Sequence, residues 1–308
     1  MPGKKYKKPM SQAQKKQERI CWLLIALPVI GFLVFSVYPI LWTFSKSFYH
    51  YNMIPSETVF VGLRNFKHSF SDEKYWNGWI TALQFTGYKL VLEIPLAMII
   101  ALILNGKIRG KGFYRAVYFL PHLISLVVAG VIFGNMFNYL GFINGFLKNM
   151  GLSAVDWFGS KFSSLTVMTL ASTWGGVGVN ILYFIAALAN VPDDVYEAAA
   201  IDGAGKFTTF FKITMPMIAP MFMTVLLLTL NANIRASDLS ITLTAGAPRG
   251  TTHTFMSYLT KEYVPGFTTE SSPNIGYGSA QYMITTCILC IWAFLYMKLK
   301  NKVESIFG

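Results

Sequence analysis

The chain has 308 residues, of which 54% are hydrophobic and 13% charged, and its mean hydropathy is +0.46. Soluble domains carry about 25% charged residues, so this composition excludes an ordinary water-soluble protein. The 26 Lys and Arg residues outnumber the 14 Asp and Glu residues, which gives a net charge of +12. Such a charge suggests nucleic-acid binding, but the hydrophobicity argues against it, and three cysteines exclude a disulfide scaffold.

Six stretches are apolar over the length that a membrane-spanning helix needs, which is about 20 residues. In chain order they are 21–44, 80–104, 113–137, 164–189, 213–230 and 280–297. The first follows a basic segment, as the core of a signal peptide does. It exceeds the usual core length of about 7–15 residues, and no Ala-x-Ala site follows it. We therefore interpret it as an uncleaved anchor and predict an all-α membrane protein with six transmembrane helices.

Basic residues are concentrated in alternate loops, which sets the predicted orientation. Sixteen Lys and Arg residues lie in the N-terminal tail, the second–third loop, the fourth–fifth loop and the C-terminal tail, and nine are spread over longer loops on the other side. Because cytoplasmic loops carry an excess of Lys and Arg, we predict that both termini are cytoplasmic. The predicted organisation is a basic tail over 1–19, a membrane domain over 20–300 and a short tail over 301–308.

The fourth–fifth loop, residues 190–212, has a helix pattern of its own. Pro192 stops the preceding span, Asp194 is placed to cap a new helix, and Glu197 three residues later completes a capping box. Gly203 is placed to end this helix. The side chains in between are small, so the helix either lets another protein approach closely or lies on the membrane as an ordinary loop helix.

The same loop resembles the EAA signature of the membrane subunits of ATP-binding-cassette importers that use a solute-binding protein. The matching residues are Glu197-Ala198-Ala199, Asp202-Gly203-Ala204, Ile213, Pro216 and Pro220, with Met215 where the signature usually has Leu. Four further segments resemble sugar-importer permeases of this family, namely 60–66, 178–180, 244–248 and 277–280. The chain is most similar to the carbohydrate-uptake permeases of the maltose-F and glycerol-phosphate-A types.

The resemblance implies the type I ABC importer permease fold, a location in a bacterial inner or plasma membrane and a defined set of partners. In this family the EAA helix is the coupling helix, which seats in a groove of an ATPase subunit and moves when the ATPases close on ATP. The residues that it implies for docking are Glu197, Ala198, Ala199, Asp202 and Gly203. The implied partners are a second homologous permease in a heterodimer, two ATPase subunits that hold ATP and Mg²⁺, and an extracytoplasmic solute-binding protein.

The sequence of this chain does not fit an ATP site. Gly205-Lys206 resembles the end of a phosphate loop, but Ala200 stands where that pattern needs its first Gly, and Phe207 where it needs Ser or Thr. We therefore predict a transport subunit that is not an enzyme and binds no cofactor itself, with ATP hydrolysed by a separate partner. The four histidines are scattered without the spacing of a metal site.

The resemblance implies uptake of a sugar, with a di- or oligosaccharide as the first hypothesis, by ATP-driven alternating access. The same machinery with another cargo, such as glycerol phosphate or a peptide, is one alternative, and an ion-coupled secondary carrier is another. Glycerol phosphate would need several basic residues in the cavity, and the spans offer only Lys89. Glu93 is the only carboxylate well inside a span, which disfavours an ion-coupled carrier.

Several polar residues of the spans leave two interpretations open. Lys89 and Glu93, four residues apart, form either a neutralised structural pair or a functional site. A glycine-rich stretch just before Asn180 allows either close helix packing or a local unwinding beside a sugar that Asn180 would contact. Asn231 and Asn233 either face a polar cavity or mark the membrane interface.

Two other features of the spans predict structural roles. His122 follows Pro121, which predicts a kinked helix with a hydrogen-bonded imidazole. Cys287 and Cys290 form a C-x-x-C pattern on an apolar helix without a second pair, which predicts two small core residues.

Overall fold

The computed structural model describes residues 11–106, 108–263 and 273–307, and helices dominate that part of the chain. In chain order the helices are α1 Gln12–Phe32, α2 Tyr38–Lys46, α3 Arg64–Phe70, α4 Glu73–Asn105, α5 Lys111–Phe119, α6 Leu126–Met136, α7 Phe142–Asn149, α8 Lys161–Ala189, α9 Asp193–Ile201, α10 Lys206–Thr209, α11 Met215–Ile234, α12 Asp238–Thr242, α13 Phe255–Tyr263 and α14 Ile275–Phe307. Strands β1 (Tyr49–His50) and β2 (Val59–Phe60) pair antiparallel. The predicted helical membrane fold is confirmed.

Within the described residues, five helical segments are long and apolar enough to cross a membrane. They are Lys15–Lys46, Glu73–Asn105, Lys161–Ala189, Lys206–Thr242 and Ile275–Lys302. Each of them contains one of the predicted spans. The remaining predicted span, 113–137, corresponds to a bent pair of helices, and counting that pair as one span gives the six that the sequence predicts.

The third predicted span is broken. Its halves, Lys111–Leu123 and Leu126–Met136, are bent by 93°. Pro121 lies in a 3-10 turn and lacks the N–H that would continue the helical pattern. Ser125 then caps α6, because its Oγ accepts a hydrogen bond from the backbone N–H of Val127 at 3.3 Å. The kink predicted beside Pro121 is therefore confirmed, and it is a full break between two helices.

Two other prolines are preceded by widened helical turns. The segments Leu33–Val37 and Phe210–Thr214 are π-helical, and Pro39 and Pro216 are the second residues of the α-helices that follow. A proline ring clashes with the carbonyl four residues earlier in a regular α-helix, and a wider turn moves that carbonyl away. The first and fifth spans therefore continue through their prolines.

The described residues divide into two compact units, the first of which runs up to Ser69 and includes Asn274–Ile284. Here Asn65 holds the hairpin, because its Nδ2 donates to the carbonyl oxygen of Tyr49 at 2.9 Å. Gly276 lies against the same residue, and a Cβ added to it would sit 1.9 Å from the Tyr49 oxygen. Only glycine fits at this position of α14.

The second unit, residues 70–273 with 285–307, is built around α4 and α8, which pack along one another with α11 against both. The core residues between these helices include Ala97, Ala101 and Phe184, each with 0% exposure. Small side chains on α4 let the neighbouring backbone approach closely.

The glycine-rich stretch of the fourth span serves this close packing. A Cβ added to Gly178 would lie 2.1 Å from the carbonyl oxygen of Tyr118, so the backbones of α8 and α5 touch there. Helix α8 is continuous from Lys161 to Ala189. Of the two interpretations left open by the sequence, close packing is confirmed and local unwinding beside Asn180 is wrong.

Cys287 and Cys290 correct another prediction. Both thiols are exposed on α14 and do not lie in a core. A helix in a bilayer is apolar on its lipid-facing side as well as on its packed side, so apolar neighbours in sequence do not distinguish the two.

Candidate functional site

The second unit contains a cleft of about 740 Å³ that opens between α4, α8, α11 and the break in the third span. Its volume lies within the range of about 300–1,000 Å³ that is typical of small-molecule sites. The polar side chains in its wall include Lys89, Glu93, Ser172, Asn180, Thr229 and Asn233. Such a concentration of polar groups between membrane helices is costly unless it serves a pathway or a ligand.

Lys89 and Glu93 form an ion pair in the wall of this cleft. The Lys89 Nζ lies 3.1 Å from Glu93 Oε2, and the two side chains are 8% and 2% exposed. The Lys89 Nζ also donates to Asn233 Oδ1 at 2.9 Å, and Asn180 Nδ2 donates to Glu93 Oε1 at 2.6 Å. Each charge is therefore held by one amide from another helix. We call Lys89, Glu93, Asn180, Asn233 and Thr229 the polar cluster.

Thr229 completes the cluster from α11, because its Oγ1 donates to Asn180 Oδ1 at 3.3 Å. Two buried polar atoms of the cluster have no hydrogen-bond partner in the described chain, namely Asn233 Nδ2 and Glu93 Oε2. The second lies within ion-pair distance of Lys89 but outside good hydrogen-bond geometry. Buried polar groups are normally satisfied, so unsatisfied ones in a cleft wall can bind a ligand.

Of the three asparagines that the sequence suggested for a polar cavity, two line the cleft and one does not. Asn180 and Asn233 both line the cleft, and they meet there through the ion pair. Asn231 is not among the lining residues, and its backbone oxygen accepts a hydrogen bond from Arg235 Nε at 3.3 Å. Thr229 and Ser172 could not be selected from the sequence, because hydroxyl residues are common in membrane helices and no motif marks these two.

The break in the third span forms the opposite wall. His122 Nδ1 lies 3.1 Å from the carbonyl oxygen of Gly175, within hydrogen-bond distance. His122 and Ser125 both line the cleft. The predicted hydrogen-bonded imidazole beside the kink is confirmed, and the kink itself shapes the cleft.

Helix α9 of the 190–212 loop begins two residues earlier than predicted. It runs from Asp193 to Ile201, with Pro192 at the N-cap in an extended conformation and no side-chain cap. The predicted capping box of Asp194 and Glu197 is therefore wrong. Proline has a fixed φ that suits the residue before a helix, so Asp193 and Asp194 fall in the first turn, where acidic side chains interact well with the helix dipole.

The end of α9 follows the prediction. Gly203 has φ +72°, its N–H donates to the Ala200 carbonyl at 3.2 Å, and the Ala204 N–H donates to the Ala199 carbonyl at 2.9 Å. This pair of bonds is the Schellman motif, in which glycine is preferred because its φ is positive. A Cβ added to Gly203 would meet no atom within 4 Å, so a substitution strains the backbone without a clash inside this chain.

Four of the five residues implied for docking share the exposed side of this loop. Glu197, Ala198, Asp202 and Gly203 are exposed, and among the described contacts Glu197 makes no hydrogen bond or ion pair. Ala199 differs, since it is 5% exposed and packs toward its own chain.

Two large apolar side chains lie beside this face, Ile201 at 87% and Phe207 at 84% exposure. Neither residue was predicted from the sequence, although apolar residues in a loop predicted to be cytoplasmic were the available signal.

Asp72 fixes the start of α4, the helix that carries the ion pair. Its Oδ1 accepts hydrogen bonds from the backbone N–H groups of Lys74 and Tyr75 at 3.0 and 3.2 Å, and its Oδ2 accepts one from Tyr258 Oη at 3.0 Å. Burial, followed by the negative charge of Asp72, raises the pKa of Tyr258 above its usual value. The phenol therefore remains a hydrogen-bond donor that ties α13 to α4.

The first unit has a pocket of about 450 Å³. It is lined by His50, Val61, Arg64, Asn65, His68, Asn274 and Tyr277, so the described lining holds basic groups and no carboxylate. The residue segment 60–66, which resembles an element of sugar-importer permeases, supplies three of these side chains.

Comparisons with known proteins agree with this architecture. Residues 93–301 match the family described as "Binding-protein-dependent transport system inner membrane component". The chain is 32% identical over 288 residues to the arabinooligosaccharides transport system permease protein AraP of Bacillus subtilis, covering 92% of this chain and 89% of that protein. It is 30% identical to the trehalose/maltose transport system permease protein MalF of Thermococcus litoralis, covering 94% and 96%.

Two further similarities bear on cargo and fold. The chain is 29% identical to the sn-glycerol-3-phosphate transport system permease protein UgpA of Escherichia coli, covering 92% of this chain and 95% of that protein. A chain of a bacterial ABC transporter involved in the import of the acidic polysaccharide alginate has a TM-score of 0.79 at 19% identity, covering 94% of this chain and 99% of that one. This likeness establishes a shared fold.

Proposed function

The chain belongs to the family of binding-protein-dependent transport system inner membrane components, and we propose that it is a permease subunit that moves a di- or oligosaccharide into the cell in an ATP-binding-cassette importer. As a family member it is a multi-pass protein of the inner membrane. The names of AraP and MalF, which match over more than nine tenths of this chain, support an oligosaccharide as cargo.

The observation that carries the cargo proposal is the cleft with its polar cluster. Amide and hydroxyl groups of Asn180, Asn233, Thr229 and Ser172 line it among apolar membrane helices. These groups both donate and accept hydrogen bonds, as sugar hydroxyls do, and Asn233 Nδ2 is buried without a partner in the described chain. The cleft is a passage for a solute that is rich in hydroxyl groups.

Helix α9 is the proposed coupling helix. Its exposed side combines Glu197 and Asp202 with Ala198 and Gly203, whose small size allows a close approach. Ile201 and Phe207 add exposed apolar surface, which is typical of protein interfaces. An ATPase subunit that holds ATP and Mg²⁺ would seat this helix and transmit its own closure as a rigid-body movement of the permease.

The complete machine has the partners that the resemblance implies. A second homologous permease would form the other half of the passage, two ATPase subunits would bind the two coupling helices, and an extracytoplasmic solute-binding protein would deliver the cargo. A bacterial alginate ABC transporter has been crystallised in complex with a periplasmic protein that binds an alginate pentasaccharide, which supports the last of these by analogy. The pocket of the first unit offers a basic surface on the side predicted to face outward.

Glycerol phosphate is the second candidate cargo, because the chain is 29% identical to UgpA. A phosphate ester would need an excess of positive charge in the passage. In the described lining Lys89 is paired with Glu93, and the remaining fixed charges are one of each sign, Arg235 and Asp238. The neutral sugar is therefore favoured.

The proposed function is tested by reconstituting this chain with its permease, ATPase and binding-protein partners in proteoliposomes. Uptake of radiolabelled arabinotriose, maltotriose and xylotriose is measured with ATP, without ATP, and with an ionophore that abolishes ion gradients. We expect uptake of one or more of these sugars that requires ATP and persists with the ionophore. Uptake that is the same with and without ATP and that stops with the ionophore would contradict the proposed importer and indicate an ion-coupled carrier.

A further inference from the structure

We propose that Glu93 sets the charge selectivity of the cleft by acting as an internal counter-ion for Lys89, so that the passage accepts uncharged solutes and rejects anionic ones. This inference rests on the proposed function and adds the substrate class of the same site. The relatives do not decide the question, because their names include both neutral oligosaccharides and glycerol phosphate.

The first argument is the geometry of the pair. Lys89 Nζ and Glu93 Oε2 are 3.1 Å apart and almost fully buried, at 8% and 2% side-chain exposure. A buried ammonium group without its partner would attract any anion that could reach it, because charges interact strongly where water is largely excluded. Both residues line the cleft, so that anion would be the solute itself.

The second argument is that two amides from other helices hold the pair in place. The Asn233 side chain accepts a hydrogen bond from Lys89, and the Asn180 side chain donates one to Glu93. Each amide therefore stabilises one of the two charges and keeps it beside its partner. With its oxygen used in this way, Asn233 keeps the NH₂ group that is unpaired in the described chain. The two charges of the cluster thus neutralise each other, and the group left to bind a solute is the neutral NH₂ donor of Asn233.

The third argument is the backbone of α8, which lies directly against the pair. A Cβ added to Gly176 would be 3.1 Å from Glu93 Oε1 and 3.2 Å from Lys89 Nζ. The neighbouring Gly175 is different, because its added Cβ would make an ordinary contact of 3.4 Å with Leu126. Gly176 therefore makes room for the ion pair, and these two glycines provide matched positions for substitution.

The rest of the lining is balanced as well. Its other fixed charges are Arg235 and Asp238, one of each sign and both exposed at the mouth. The described lining therefore has equal numbers of Lys or Arg and of Asp or Glu residues, with His122 as the one imidazole. Removal of Glu93 would leave an excess of positive charge deep in the passage.

The test uses the reconstituted importer with a neutral and an anionic probe derived from the same trisaccharide. One is whichever of arabinotriose, maltotriose and xylotriose the wild type takes up fastest, and the other is its aldonic acid, in which the reducing end is a carboxylate. Occupancy of the solute-binding protein by each probe is measured by calorimetry, and uptake is compared at equal occupancy. The readout is the ratio of anionic to neutral uptake.

In the wild type we expect this ratio to be low. Glu93→Gln keeps the shape of the side chain and leaves Lys89 uncompensated, so the ratio should rise by about tenfold. The double variant Lys89→Gln/Glu93→Gln removes both charges and should return the ratio to the wild-type value. Gly176→Ala should raise the ratio by displacing the pair, and Gly175→Ala should not.

An unchanged ratio in Glu93→Gln, with neutral uptake retained, would overturn the inference and leave the importer intact. If Glu93→Gln fails to assemble, Gly176→Ala decides the matter, because an unchanged ratio in an assembled Gly176→Ala importer would overturn the inference. A wild type that takes up none of the neutral sugars would instead contradict the proposed function, and the inference would fall with it.

Discussion

Helix α9 and the polar cluster of the cleft are the two regions of this chain proposed to be functional, and they are built in opposite ways. The α9 loop is local, since its turn is closed by hydrogen bonds among Ala199, Ala200, Gly203 and Ala204. The polar cluster is assembled from three helices, by bonds that join residues 87 and 144 positions apart. A surface that must fit a partner can thus be encoded in a short motif, whereas a passage depends on how whole helices pack.

The largest effect is expected from Gly203→Asp, which tests the local region. A β-carbon at φ +72° strains the turn, and the new carboxylate projects from the proposed docking face. We expect the variant to reach the membrane normally, measured by immunoblotting of membrane fractions, and to abolish uptake.

Gly205→Asp is the matched control, because Gly205 has an ordinary φ of −70° and its added Cβ would also meet no atom within 4 Å. Uptake should be far less affected in this control. Normal uptake in Gly203→Asp would contradict the role assigned to α9.

Gly178→Ala tests whether the passage depends on packing between distant segments. Its new methyl group would overlap the Tyr118 carbonyl oxygen, so we expect destabilisation of about 1–3 kcal/mol or more. The measurement is the melting temperature of the purified protein in detergent. Gly87→Ala, at a helical glycine of α4 with open space around it, should not lower that temperature. Equal melting temperatures for the two variants would show that the close approach of α8 and α5 is unimportant.

Asn180→Ala removes the amide that holds Glu93 and leaves the carboxylate less well stabilised in the cleft. The loss of a hydrogen bond to a charged group is worth about 1.5–3 kcal/mol, so we expect uptake of the neutral sugar to fall by about tenfold or more. Asn231→Ala is the control, because that side chain does not line the cleft. An equal fall in uptake for the two substitutions would contradict a specific role of the cleft-lining asparagine.

The smallest effect is expected from Tyr258→Phe. Its hydroxyl group donates to Asp72, and the loss of that bond should lower stability by about 1–3 kcal/mol near neutral pH. Because folding raises the pKa of this phenol, its contribution is fully present below the unfolded pKa of about 10 and is lost as the pH rises above it. The difference in melting temperature between wild type and variant should therefore narrow from pH 8 to pH 11. A constant difference would contradict the assigned hydrogen bond.

The contrast between the two regions also explains what the sequence could predict. The spans were predictable because a bilayer demands long apolar helices, and the end of α9 because only glycine suits the positive φ of Gly203. The start of α9 was misplaced by two residues because Pro192 takes the cap position that Asp194 was expected to fill. Such errors are small when the determinants are adjacent in the chain.

The cleft could be predicted only in part. Lys89 and Glu93 stood out as charges four residues apart within a span, and their pairing follows from helix geometry. That Asn180 and Asn233 would hold this pair, while Asn231 would not line the cleft, depends on the packing of α4, α8 and α11. The sharp bend after Pro121 likewise depends on how Ser125 caps the next helix.

Photocrosslinking tests whether α9 docks on an ATPase subunit. Cys21, Cys287 and Cys290 are replaced by Ser, and Glu197→Cys then carries a benzophenone maleimide in membranes that contain the whole importer. Irradiation should join this chain to the ATPase, identified by mass spectrometry, whereas the same label at Leu140→Cys, an 86% exposed residue in a loop predicted to face outward, should not. An assembled, transport-active importer in which position 197 forms no adduct with the ATPase would show that α9 does not dock there.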